Sequence, residues 1–224
     1  MSEDTCWTLV EDAAAGSRTA RSAFARLYLP AVEAYLRARW RGTPLSSQVD
    51  DATQDVFVDL IRPNGALSRA KRDHGDGGFR PFLYGVARNI ASRHERSNGR
   101  REASLDSQAV DPLVPAADSP SRAFDAAWAR AVMRAARDRH AALAQERGEA
   151  SVQNVELLRL RFREGLPIRE IAARWGVDAA AVHRHYGRAR REFAEALFET
   201  VSQHVTGTPA HVKRECARLL DLLR

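Results

Sequence analysis

The residues best suited to chemistry in this 224-residue chain are suited to recognition. The sharpest constellation is Ile168-Arg-Glu-Ile-Ala-Ala-Arg-Trp-Gly-Val-Asp-Ala-Ala-Ala-Val182. Its pattern puts Ile171 and the small Ala172 on the inner face of a short helix. It gives Gly176 a tight turn with positive φ, Val177 a place in the crevice, and Val182 the crossing contact of a second helix. This is a helix-turn-helix pattern. With Val182 and Tyr186 inward, the second helix turns Ala180, Ala181, His183, Arg184, Arg188 and Arg191 outward. Such a helix can lie in a major groove, its first residues near base edges and its later arginines on phosphates. Helical hairpins of this shape also occur as plain packing units, but packing does not account for the arginines behind Val182.

A second constellation mixes aromatics, cations and an amide on one element: Phe79, Arg80, Phe82, Tyr84, Arg88, Asn89, Arg93, His94 and Arg96. Stacking on unpaired bases together with cation contacts to phosphates is how single-stranded nucleic acid is held. An ordinary amphipathic helix with a solvated basic face has the same composition, and a residue such as Phe82 taken singly is more often core than platform. A third constellation points to protein. Asp51, Asp55 and Asp59 recur at intervals of four, with Gln54 beside them, a spacing at which like charges mildly destabilise a helix. A basic partner surface would favour them, and so would nearby arginines on a solvated face. Catalysis has little to stand on. His183 and His185 face different directions, and Asp50-Asp51 lacks ligand partners at metal-binding spacing. Gly75-Asp-Gly-Gly78 is too short to cradle a phosphate, and no nucleophile elbow is present. No active site, metal or cofactor is expected.

Helices must position these residues. Arg21 to Trp40 carries Phe24, Leu27, Tyr28, Ala31, Tyr35 and Ala38 at intervals of three and four. Ser47 with Asp50 resembles a capping box that opens a second helix through Val49, Ala52, Val56, Phe57, Leu60 and Ile61. A glycine-rich loop, Lys71 to Gly78, precedes a third helix from about Phe79 to Ser97. Prolines at 112, 115 and 120 with no hydrophobic period make 99–121 a flexible linker. Beyond it come a long helix from about Arg122 to Glu146 and a shorter one from about Val152 to Arg163, with Val155, Leu158 and Phe162 inside. The helix pair described above follows, its last helix capped by Asp178 and running to about Val201. Strand signals are absent, so the expected fold is all-α. Two helical domains, 20–98 and 122–200, are joined by the linker, with a tail at 1–19 and a helical extension at 201–224. In that extension, Val212, Cys216, Leu219, Leu220 and Leu223 form an apolar face expected to pack on the second domain or to meet a regulatory partner.

The charge distribution fits a bipartite binder. The net charge is +6, from 33 arginines and two lysines against 29 acids, and it alternates along the chain. By segment it is −3 over 1–20, +7 over 21–101, −3 over 102–158, +4 over 159–198 and +1 over 199–224. A basic surface that serves only solubility would also carry such an excess. Cys6 and Cys216 are too few and too far apart for a disulfide framework or a structural zinc site. No run is apolar enough for a membrane span, and Met1 to Leu9 lacks the basic start of a secretory signal. A cytoplasmic location is expected.

In order, Phe24-Ala-Arg-Leu-Tyr28, Asp50-Asp-Ala-Thr-Gln-Asp-Val-Phe57, Phe79-Arg-Pro-Phe-Leu-Tyr-Gly-Val-Ala-Arg-Asn-Ile90, a linker and a terminal helix-turn-helix resemble an RNA polymerase sigma factor of the extracytoplasmic-function type. The resemblance covers about Ala20 to Phe198, and the long helix and tail are similar to the longer planctomycete-type groups. It implies that the helix carrying Asp50, Asp51, Gln54, Asp55, Phe57 and Asp59 engages the clamp coiled coil of core bacterial RNA polymerase. It implies that the Phe79 to Arg96 helix recognises and opens the −10 promoter element, and that the helix-turn-helix reads the −35 element and faces the polymerase flap. The family often has tryptophan where this chain has Phe82 and an acid where it has Arg93. An anti-sigma or other regulatory protein is a further partner that the resemblance implies. Two rival expectations are a stand-alone regulator that binds duplex DNA as a dimer and a helical adaptor that binds no nucleic acid.

Overall fold

Apolar residues recur every three or four positions through most of the chain, and the computed structural model, which describes residues 6–70, 78–102, 119–205 and 208–223, is helical almost throughout. Among the described residues there are nine α-helices and no strand. In chain order they are α1 (Cys6–Ala15), α2 (Arg18–Arg39), α3 (Val49–Ile61), α4 (Phe79–Glu102), α5 (Pro120–Arg147), α6 (Glu149–Phe162), α7 (Ile168–Trp175), α8 (Ala179–His204) and α9 (Pro209–Asp221). None of the described helices is long and apolar enough to cross a membrane. The chain divides into two compact units, 1–131 with 203–224, and 132–202. The division falls inside α5. Residues 71–77 of the expected glycine-rich loop and 103–118 of the expected linker lie outside the described residues. The described part of that linker includes the end of α4, which runs past Ser97 to Glu102 because no proline stops it and Gly99 costs a helix only about 1 kcal/mol.

The first unit closes on aromatic rings. Phe24 and Tyr28 on α2, Phe79 on α4 and Trp128 on α5 are all nearly inaccessible. Ring centroids lie 5.7 Å apart for Phe24 and Phe79, 5.2 Å for Tyr28 and Phe79, and 5.1 Å for Tyr28 and Trp128. Residues 1–19 read as a tail in the sequence, yet α1 buries Trp7, Val10 and Ala13, whose spacing of three presents one face to the core. Trp7 meets Phe79 edge to face at 5.9 Å. Arg21 fastens the neighbouring helix ends, with Nε donating to Ala13 O (3.0 Å) and Nη2 to Ile61 O (3.1 Å). A cation is favoured there because both carbonyls belong to the negative ends of helices. The expected capping box at Ser47 does not form. Pro44 starts a 3-10 turn to Gln48, Ser47 Oγ donates back to Pro44 O at 3.3 Å, and α3 begins without a side-chain cap.

The tail also differs from expectation. Residues 203–224 belong to the first unit, not the second. His204 is buried with its Nδ1 3.3 Å from the Tyr28 hydroxyl and its ring 5.8 Å from Trp128. Gly78 makes this seat possible. Its φ is +57°, and a Cβ there would stand 2.1 Å from His204 O. Val212 and Leu219 of α9 are buried, while Leu220 and Leu223 stay exposed, so only part of the expected apolar face is covered. Arg218 reaches Asp125, the carboxylate that also pairs with Arg80.

In the second unit, Leu157, Leu160, Ile171, Ala172 and Val182 form one core, edged by Leu166, Ile168, Trp175, Ala179 and Tyr186. The expected inner face of α6 is turned. Ser151, Asn154, Leu157 and Leu160 are buried, Val155 and Leu158 are half-buried, and Phe162 is 71% exposed. Two polar residues can face inward because Glu192 of α8 accepts from both, from Ser151 Oγ at 3.2 Å and Asn154 Nδ2 at 3.1 Å. His140 lies on the same carboxylate at 3.7 Å, and burial pushes its imidazole below the usual range.

Burial likewise lowers His204, to about 4, so the fold holds it neutral. The unfolded chain takes up that proton first as pH falls below about 6.5, so stability falls with pH until about 4, by about 3 kcal/mol in all. Urea unfolding at a series of pH values reads this directly, and His204→Leu should flatten the acid limb. An unchanged slope in the variant would contradict the burial of a neutral imidazole.

Candidate functional site

Helix geometry sorts the mixed α4 sequence into two stripes. Arg88, Asn89, Arg93 and Arg96 are exposed and fall within an arc of about 140° on the helix. Leu83, Val86, Ala87 and Ile90 face inward with Phe79. Phe79 is therefore not a base-stacking platform: at 0% exposure, its ring is the centre of the first unit. Arg80 is likewise occupied, Nε donating to Asp125 Oδ1 at 3.0 Å. Phe82 is half-buried with its ring 5.5 Å from Phe79, and Tyr84 packs edge to face on Tyr35 (5.2 Å) and Phe124 (5.3 Å). The outer stripe is cationic and the aromatics mostly line the interior.

The far part of α4 is anchored by two consecutive residues. Glu95 accepts from Arg39 Nε (2.6 Å) and Nη2 (2.8 Å) and from Trp40 Nε1 (2.9 Å). Burial pushes its carboxyl upward, but the Arg39 and Trp40 donors outweigh it and hold the group below the usual carboxylate range. The Arg39 guanidinium is raised in turn, first by its hydrogen bond to Glu95. His94 turns toward α3, its Nε2 2.9 Å from Asp55 Oδ2 and its Nδ1 3.5 Å from Gln48 Oε1. It joins the acidic helix and leaves the exposed stripe of α4.

On α3, Asp50, Asp51, Gln54 and Asp55 are exposed. Asp50 lies 3.6 Å from Arg37, an exposed pair that solvent screens. Asp59 is drawn to Arg62 at 2.8 Å with 19% of its side chain exposed. Phe57 does not belong to this face. It is 9% exposed and its ring meets Phe24 at 6.0 Å, because it falls on the helix side that carries Val56 and Leu60. Val58, not among the residues expected on this face, is 55% exposed, at four residues from Gln54 and seven from Asp51. That spacing on an acidic helix was the available signal.

In the second unit, α7 ends on Gly176 with φ 65° and ψ 32°, the left-handed conformation expected there. Val177 N donates to Ala172 O (3.0 Å) and Gly176 N to Ala173 O (3.2 Å), so the turn closes through backbone bonds. Val177 contributes its amide and not a plug, being 46% exposed. Asp178 stands before α8, its carbonyl accepting from Ala181 and Val182. Val182 is fully buried and Tyr186 half-buried. The opposite side of α8 exposes Ala180, His183, Arg184, Arg188 and Arg191, with Ala181 at its edge. His185 is turned away from that side, its Nδ1 3.4 Å from Asn154 Oδ1. The Glu192, Asn154 and His185 chain, unseen in the sequence, fixes the early turns of α8 against α6.

No cluster that could hold a metal ion is present among the described residues. No protein-family model matches the chain, and a search of the curated proteins finds no match. The surface chemistry therefore carries the functional argument, as outward guanidinium groups on α4 and α8 and outward carboxylates on α3.

The Glu95 anchor sets how firmly α4 is held. Glu95→Ala should lower unfolding stability by about 1.5 kcal/mol, after solvent screening of a pair about one-third exposed. A urea midpoint within error of the parent would contradict this role.

Proposed function

We propose that the protein is a sigma-type initiation factor that recruits core bacterial RNA polymerase to promoter DNA, working in the cytoplasm. The observation that carries this reading is the pairing of two outward arginine faces, one on α4 and one on α8, in separate compact units, with an outward carboxylate face on α3. A duplex reader alone needs one cationic helix, and an adaptor needs neither. The order of sequence motifs supports the same reading.

The division of labour follows from the chemistry of each face. The α7 to α8 element acts as a helix-turn-helix at the −35 element, with Ala180, Ala181, His183 and Arg184 near base edges and Arg188 and Arg191 on phosphates. The α4 stripe of Arg88, Asn89, Arg93 and Arg96 holds −10 backbone and bases, with Phe82 at its leading end. Extruding bases costs a few kcal/mol per step, which phosphate contacts alone do not repay. Polymerase supplies the difference by holding the duplex, and Asp50, Asp51, Gln54 and Asp55 engage a basic surface on it. The protein performs no covalent step in this scheme.

Arg184→Ala tests the base-reading role at fixed salt. It should weaken binding to the preferred −35 sequence by about 1–3 kcal/mol and relax discrimination at one base pair, with a smaller effect on random duplex. An equal loss on both DNAs would reduce Arg184 to a phosphate contact.

A further inference from the structure

His94 sits on the helix assigned to DNA, but its hydrogen bonds go elsewhere. Its side chain is 16% exposed and its Nε2 is 2.9 Å from Asp55 Oδ2 across the α3 and α4 contact. A carboxylate only accepts, so Nε2 carries a proton and donates. Gln48 faces the other ring nitrogen at 3.5 Å, and the Trp40 ring lies 5.7 Å from the imidazole. Trp40 is itself fixed, its indole N–H bonded to Glu95. The imidazole is thus packed on the Trp40 ring, while the carboxylate it grips is 57% exposed.

We propose that His94 is a positioning residue for the acidic partner-binding face of α3, orienting the Asp55 carboxylate for a basic protein surface, and is not a nucleic-acid contact. This rests on the reading of that face as the polymerase contact. An exposed aspartate otherwise samples several rotamers, and a partner must freeze it on binding. A donor fixed on the neighbouring helix removes that cost in advance and takes only one of the two carboxylate oxygens. It acts through Asp55 and touches neither partner nor DNA.

The test measures affinity for core polymerase and for a single-stranded oligonucleotide with the full chain and five variants. The variants are Asp55→Arg, Asp55→Ala, His94→Leu, His94→Gln, and His94→Leu combined with Asp55→Ala, with helicity and thermal midpoint recorded for each. Asp55→Arg should abolish polymerase binding. His94→Leu keeps the packing on Trp40 and should weaken polymerase binding about tenfold with oligonucleotide affinity unchanged. His94→Gln, still a donor, should recover most of the loss. Added to Asp55→Ala, which leaves no carboxylate to orient, His94→Leu should cost nothing further, which separates positioning from a general loss of fold. If Asp55→Arg abolishes binding but His94→Leu leaves it intact, the positioning role falls and the polymerase reading stands. Loss confined to the oligonucleotide overturns it in favour of a nucleic-acid contact, and equal loss in the Asp55→Ala background overturns it in favour of simple stability. Unchanged binding by Asp55→Arg removes the reading beneath it and the proposal with it.

Discussion

Everything on the surface of the first unit depends on where its aromatic rings go. Phe24, Tyr28, Phe79 and Trp128 come from three helices separated widely in sequence, and their rings interlock at centroid separations between 5.1 and 5.7 Å. Rings of this size bury some 150–250 Å² each, the largest apolar payload available to a small helical unit. With Phe79 inside, the helical period leaves no freedom for the rest of α4: Leu83, Val86 and Ile90 follow it inward, and Arg88, Asn89, Arg93 and Arg96 are forced out. The cationic stripe is thus a consequence of core packing. His204 completes the same cluster from the other end of the chain, which ties the C-terminal segment to this unit through a buried imidazole that must stay neutral.

The second unit solves a different problem with polar groups. Its core is small, built on Leu157, Leu160, Ile171, Ala172 and Val182, and α6 adds buried Ser151 and Asn154. Glu192 accepts from both and faces His140, so α5, α6 and α8 share one carboxylate. Hydrogen-bond geometry is directional where apolar contact is not, so this network fixes the rotation of α8 more sharply than five apolar residues would. That rotation decides which arginines of α8 face outward.

The all-α class, the α7 turn at Gly176 and the outward set on α8 were legible in the sequence, because each follows from spacing and from one glycine with positive φ. What the sequence misled on has common physical causes. Hydrophobic periodicity does not register buried polar residues, so it sets the inner face of α6 one position away from the true one, which carries Ser151 and Asn154 and leaves Phe162 exposed. A list of aromatics and cations on one helix does not say which point inward: Phe79 is buried, Arg80 pairs with Asp125 and His94 with Asp55, while Arg88, Asn89, Arg93 and Arg96 are exposed. On α3 the same ambiguity hides that Phe57 turns inward and Val58 outward. The tail's partner could not be read from an apolar stripe. It was settled by His204, a residue before that stripe, and by the close approach that Gly78 permits.

The proposed role as a polymerase-dependent promoter opener is tested most directly by titrating the purified protein into core bacterial RNA polymerase. A fork promoter DNA with a fluorescent base in its −10 region reports opening in the same sample. The account predicts saturable assembly, with fluorescence rising only when protein, polymerase and promoter are all present. Binding to duplex DNA as a dimer, with no response to polymerase, would contradict it.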